Sequence, residues 1–423
     1  MLKRVEKQNL KDLKDACVLA KDAKFPSPFD SKLEFSCSAR GPWNIVHTGM
    51  LIPQAHEVYV CAQSCLRGVV LTAAEMNAID RFSNIIVREN NILEGDTEDL
   101  IVEGMGDILE KLPYTPRAIL VYTSCIHHFI GCDLNLVYKR LREKYPNVEF
   151  TDCYMNPIMR KSGLTPDQLM RRQLYSLLDK QDLDLKSVNI IGNNLKTDDD
   201  SELVKIIKEN GFTLREVPRT KTYDEYKEMG KGFLNITYNP AAIEAGRYLE
   251  KKLGQKHLYL PLSYGFDEIE KTLDTLCENL GIEKIDFSSN KQQALDALKK
   301  AKEVIGDTPI EIDYTLTLRP ASLARLLLEN GFNVVAIYED CFAGEEEEDF
   351  KWIQENYPNL KIYATVHVKM RFVNRKRDEK LLALGQKAAY FTGSNNFVNI
   401  IEGGGMYGFS GIIKLCDLMI DEI

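Results

Sequence analysis

The chain has 423 residues, 44% hydrophobic, 28% charged and 9% aromatic. That is the composition of a soluble globular protein, with length for roughly two to four domains. A formal net charge of -9 excludes general affinity for nucleic acid or anionic membranes. No window approaches the ~20 apolar residues of a membrane helix. The charged opening MLKRVEKQNLKDLKDAC has no apolar run behind it, so no secretory signal is expected and the cytoplasm is the expected location.

In chain order, β-prone runs occur at EVYV, NIIVREN (84–90), RAILVYTSC (117–125), VEFTDCYM (148–155), SVNIIGNN (187–194) and GFLNITYN (232–239). They continue with PIEIDYTL (309–316), NVVAIYED (333–340), KIYATVHV (361–368) and AAYFTG (388–393). Helical stretches such as DDSELVKIIKENG and PASLARLLLENG lie between them and stop at glycine, as helix C-caps do. Strand–helix–strand alternation predicts α/β architecture with parallel sheets covered by helices. Strands start afresh near residues 45, 187 and 309. Three Rossmann-like βαβ domains are therefore expected: 1–184, 185–305, and 306–423 with a C-terminal helix. The acid runs TDDDSE (197–202) and GEEEED (344–349) read as solvated helix starts.

No P-loop pattern GxxxxGK[ST] is present, so ATP hydrolysis through such a loop is not expected. One GxGxxG falls at Gly403, Gly405 and Gly408, but only 15 residues follow it. A dinucleotide site needs a whole βαβ unit, so the loop reads as a turn feeding the last helix. The six histidines form no HExxH or HxxxH, which leaves a zinc hydrolase unsupported.

The ten cysteines are the stronger signal. A reducing cytosol makes a disulfide framework implausible. Cys17, Cys277 and Cys416 occupy apolar positions of helical patterns and read as packing residues. Six others fall between Cys37 and Cys153. Cys65 begins a helix after EVYV, Cys125 ends the strand RAILVYTSC, and Cys37 lies in the loop EFSCSARGPWN. In a parallel sheet the carboxyl ends of strands share one edge, where ligands collect. Cys65 and Cys125 would share it, within reach of the Cys37 loop. Convergent thiolates are what an iron–sulfur cluster requires.

AHEVYVCAQSCLRG and VYTSCIHHFIGCDLNLV resemble two ligand segments of the nitrogenase component 1 family, which includes MoFe-protein subunits and dark-operative protochlorophyllide reductase. FLNITYNPAAIEAGRYLEKKLG and MYGFSGIIKLCDLM resemble its second-domain segment and its close. The resemblance implies Cys37, Cys65 and Cys125 as ligands of a [4Fe–4S] or P-cluster-like [8Fe–7S] cluster. Cys61 takes a glycine position and is either a packing residue or an extra ligand. His127, His128, Asn239 and Arg40 are positions that could present protons or hydrogen bonds.

The resemblance further implies an electron-accepting reductase component served by a separate ATP-dependent iron protein. A second component 1 subunit, the same chain or a paralogue, would complete it. Asn239 stands where nitrogenase has a cofactor cysteine, and SNNFVNIIEGGGMYG contains no histidine. No FeMo-cofactor and no dinitrogen fixation are expected. The alternative is a non-catalytic scaffold on which a complex metal cluster matures, and a blander option is a cluster-free binding protein with the same three-domain build.

Overall fold

The computed structural model describes residues 13, 15–30, 34–39, 41, 43–156, 163–375 and 380–423. Its strands in chain order are β1 (Cys17–Leu19), β2 (Ala55–Cys61), β3 (Phe82–Ile86), β4 (Ala118–Ser124), β5 (Glu149–Met155), β6 (Asp184–Ile190) and β7 (Thr213–Glu216). Then come β8 (Gly232–Thr237), β9 (Lys256–Tyr259), β10 (Ile310–Asp313), β11 (Val334–Tyr338), β12 (Lys361–Tyr363), β13 (Leu382–Leu384) and β14 (Phe397–Val398). They form three sheets, ordered β3-β2-β4-β5, β7-β6-β8-β9 and β1-β12-β11-β10-β13-β14. All pairings are parallel except β1 against β12. Strands β2 and β4 are buried at every residue, as central strands covered on both faces must be.

The described residues divide into two compact bodies. One comprises 43–196 and 207–261 and holds the first two sheets; the other comprises 1–42, 197–206 and 262–423 and holds the third. Strand β1 falls in the sequence range expected to open the first domain, yet it runs antiparallel to β12 on the third sheet. Cys17 accordingly lies in a strand, not in the helix its surroundings suggested.

AAYFTG also departs from expectation, because Gln386–Thr392 is a helix. The strand is the preceding Leu382–Leu384, and the Asp313 carboxylate accepts the Ala388 N–H at 2.6 Å, fixing a helix start. Gly393 ends it in the left-handed conformation. A tertiary cap overrides β propensity here.

Two sheets solve their cores in the same way. In the first, Tyr59, Tyr122 and Cys153 lie opposite one another on β2, β4 and β5. The two phenol rings stack at 4.3 Å, and Phe82 stacks on Tyr59 at 5.0 Å. In the third, Tyr338, Tyr363 and Cys17 form the equivalent row on β11, β12 and β1, with rings stacked at 5.0 Å and Phe391 beyond. Each row is braced by a buried carboxyl group. Glu57 accepts from the Tyr59 hydroxyl at 3.1 Å and the Tyr122 hydroxyl at 3.3 Å, and Glu311 accepts from the Tyr338 hydroxyl at 2.6 Å. Burial pushes the Glu57 carboxyl well above its ordinary value, against the pull of the Tyr59 and Tyr122 hydroxyls and of Arg81.

Candidate metal centre

Strands β2 and β4 run side by side with Val60 opposite Thr123, so they end together. After β2 the chain makes a short turn, Gln63–Cys65, and enters the helix Leu66–Glu75 with Cys65 at its N-cap. After β4, Ser124 caps the helix Cys125–Phe129, and Cys125 is its first residue. Both thiols therefore stand at helix starts on the carboxyl edge of one sheet. Cys65 is exposed and Cys125 half-buried. Free backbone N–H groups at a helix start favour a thiolate and can hydrogen-bond its sulfur.

Cys37 belongs to the other body. It is 7% exposed, packed in a core with Tyr338, Phe391 and Ala383. Its Sγ accepts a hydrogen bond from Lys387 Nζ at 3.0 Å. No single body holds all three expected ligands, and within either body no described group of three or more His, Cys, Asp or Glu side chains could hold a metal ion.

The remaining thiols near the edge stay protonated. Burial, and then the neighbouring Cys65, pushes Cys61 up to about 12. Burial likewise raises Cys132 to about 11 and Cys153 well above the thiol range. Cys61 is fully buried at the end of β2.

His127 is buried, with Nδ1 3.2 Å from the Ser124 nitrogen and 3.3 Å from the Ser124 oxygen. Burial holds its pKa below the ordinary histidine value, so the ring is neutral at pH 7. Among the described residues, its Nε2 and the Ser124 Oγ are buried without a hydrogen-bond partner. Two unfulfilled polar atoms flanking Cys125 are a cost that folded proteins rarely carry without a reason. A sulfide-bearing group on Cys125 suits them, since both can donate to sulfur. His128 is exposed. Asn239 is buried and uses its side-chain oxygen to accept the Ala241 N–H at 2.9 Å. Arg40 lies outside the described residues.

The glycine-rich loop feeds the last helix, Gly408–Asp421, as expected. At that helix start Glu202 accepts from Ser410 N–H at 3.1 Å and from its Oγ at 3.0 Å. This is where a phosphate would bind, and Gly408 has no room for a side chain because Glu202 fills the space. The chain thus supplies its own anion. Glu202 is buried, contrary to its reading as part of a solvated run.

Glu346 plays the same part for the helix Pro320–Glu329, accepting from Ala321 N–H at 2.7 Å and Ala343 N–H at 3.1 Å. It too is buried, as is Asp349, which pairs with Arg319 at 3.2 Å. Burial pushes the Glu346 carboxyl up to about 7, above the ordinary 4.5, although its backbone donors pull it down. The folded chain then holds this proton more tightly than the unfolded chain. Its contribution to stability is full below the unfolded value and is lost as pH rises through about 7. Urea midpoints measured from pH 5 to 7 should fall more steeply in the native protein than in Glu346→Gln. The slopes should differ by up to about 1.4 kcal/mol per pH unit; equal slopes would contradict the assignment.

No described helix is long and apolar enough to cross a membrane. Parallel sheets covered by helices define an α/β protein of the kind that collects ligands past the carboxyl ends of its strands. The family model for nitrogenase component 1 type oxidoreductases matches residues 46–419, and the chain belongs to that family. Its members are oxidoreductases that bind iron–sulfur clusters. Among solved structures it is similar to nitrogenase Cp1 at pH 6.5, with TM-score 0.69 and 14% identity over 93% of this chain and 94% of that one. It is also similar to nitrogenase Cp1 at pH 5, with TM-score 0.62 and 14% identity over 98% and 96%. No curated protein matches the sequence.

Proposed function

We propose that the chain is a nitrogenase-like reductase component that holds an iron–sulfur cluster through Cys37, Cys65 and Cys125. The observation that supports this reading most is the pair Cys65 and Cys125 on one sheet edge, each at a helix start. Lys387 donates a hydrogen bond to the Cys37 sulfur at 3.0 Å. Cys61 is left out of the set, since a deeply protonated thiol is a poor ligand. When bound, the cluster, [4Fe–4S] or [8Fe–7S], supplies a one-electron relay.

Three thiolates per chain leave coordination to be completed by a second component 1 subunit, a copy or a paralogue. Electrons come from an ATP-dependent iron protein, consistent with the absence of a P-loop here. The residues around Cys125 supply hydrogen bonds: Ser124 and neutral His127 orient and exclude water, while exposed His128 can exchange protons with solvent. Asn239 at the cofactor-cysteine position, spending its side chain on a local turn, argues against a FeMo-type cofactor and against dinitrogen reduction.

The test combines the anaerobic chain with an iron protein, ATP, dithionite and acetylene as a small unsaturated probe. ATP-dependent reduction of acetylene supports an enzyme. An iron-bearing chain that consumes no electrons under any of these conditions is a maturation scaffold instead.

A further inference from the structure

Lys387 is only 8% exposed, so its amino group is buried. Among the described residues its Nζ makes one hydrogen bond, to Cys37 Sγ at 3.0 Å, and has no carboxylate partner. A nitrogen and a sulfur nucleophile therefore touch in a buried site. Its walls are apolar, with Met370, Tyr338, Phe391 and Ala383 in the same core. Dioxygen is small and apolar and suits such walls.

We propose that Lys387 and Cys37 form an oxygen-sensitive covalent switch, a nitrogen–oxygen–sulfur bridge made with dioxygen. The step is Lys387–NH2 + HS–Cys37 + O2 → Lys387–NH–O–S–Cys37 + H2O. An N–H and the S–H break, and N–O and O–S bonds form. Nitrogen and sulfur each give up two electrons, and the second oxygen atom leaves as water with both hydrogens. The N–O–S span lies nearer the observed separation than a direct N–S bond would, so little movement is needed.

The bridge ties the Cys37 segment to the helix Gln386–Thr392 and withdraws this thiol from any metal until it is reduced. Two equivalents of dithiol return amine, thiol and water. The chemistry does not depend on the cluster reading, because it needs only the two side chains and dioxygen.

The experiment uses the full chain, isolated anaerobically, stripped of iron by a chelator and then held in air-saturated or argon-saturated buffer. Peptide mass spectrometry should find the Cys37 and Lys387 peptides joined, heavier by one oxygen less two hydrogens. The joined species should appear only after air, vanish with dithiothreitol, and be missing from Lys387→Arg and Cys37→Ser. Oxygen atoms added to Cys37 alone, a disulfide, or unjoined peptides after prolonged air would overturn the proposal. The native chain carries the decisive measurement, so it stands even if a variant folds poorly. A chain that is already free of iron on anaerobic isolation, before any chelator, and still forms the bridge would sink the cluster reading and leave the switch intact.

Discussion

Cys65→Ala and Cys125→Ala should each yield a folded protein that has lost its iron. Cys65 is exposed and its side chain makes no capping hydrogen bond, so alanine there changes stability by no more than about 0.5 kcal/mol. Cys125 is half-buried at the first turn of its short helix, and its removal costs little more. Loss of a metal ligand is a far larger effect than loss of such contacts. The controls run the other way. Cys61→Ala and Cys153→Ala remove fully buried thiols and should lower stability by about 1 kcal/mol while leaving iron in place. Iron measured on anaerobically purified variants, with circular dichroism to establish folding, separates the two groups. Full iron retention in Cys125→Ala would show the ligand assignment to be wrong. Complete loss in a folded Cys61→Ala would make Cys61 a fourth ligand.

Gly385→Ala should be among the most damaging single substitutions in the chain. Gly385 adopts φ 116°, a conformation that L side chains rarely reach, and a methyl group there would overlap the Asp313 carboxylate. That carboxylate accepts from Ala388 N–H and Thr315 N–H, each at 2.6 Å, and so joins β10 to the helix after β13. Backbone strain and overpacking each cost about 1–3 kcal/mol, so a combined loss of about 3 kcal/mol or more is expected. Gly68 provides the opposite case. It sits exposed inside the helix Leu66–Glu75 with open space around it, and Gly68→Ala should stabilise by about 0.5–1 kcal/mol. Urea denaturation of both variants checks the pair. A Gly385→Ala midpoint matching the native protein would contradict the role given to Asp313.

What could be read from the sequence was local. β-branched runs alternating with glycine-terminated helices announce parallel sheets; the restarts near 187 and 309 fall at β6 and β10, whereas residue 45 opens a helix and the first sheet's strands begin at Ala55. Cys125 was placeable because it follows a strand directly and Cys65 because it follows one after a short turn, and the carboxyl ends of parallel strands share an edge. The errors came from partners far apart in the chain. AAYFTG is β-prone, and its helical state depends on Asp313, 75 residues before Ala388. The buried role of Glu202 is set by Ser410, 208 residues later. Lys387 reaches Cys37 across 350 residues, and β1 pairs with a strand near the other end of the chain. A carboxylate capping a distant helix, or a lysine beside a distant thiol, leaves no periodicity and no motif.

The central claim is that the cysteines past β2 and β4, with Cys37, serve metal rather than packing. Iron and acid-labile sulfide measured on anaerobically isolated protein test it most directly. The account predicts a brown protein with sulfide accompanying iron, at about four irons per pair of chains for one shared cubane and about eight for an [8Fe–7S] site or a cubane on each chain. A colourless, folded protein free of both iron and sulfide would contradict it.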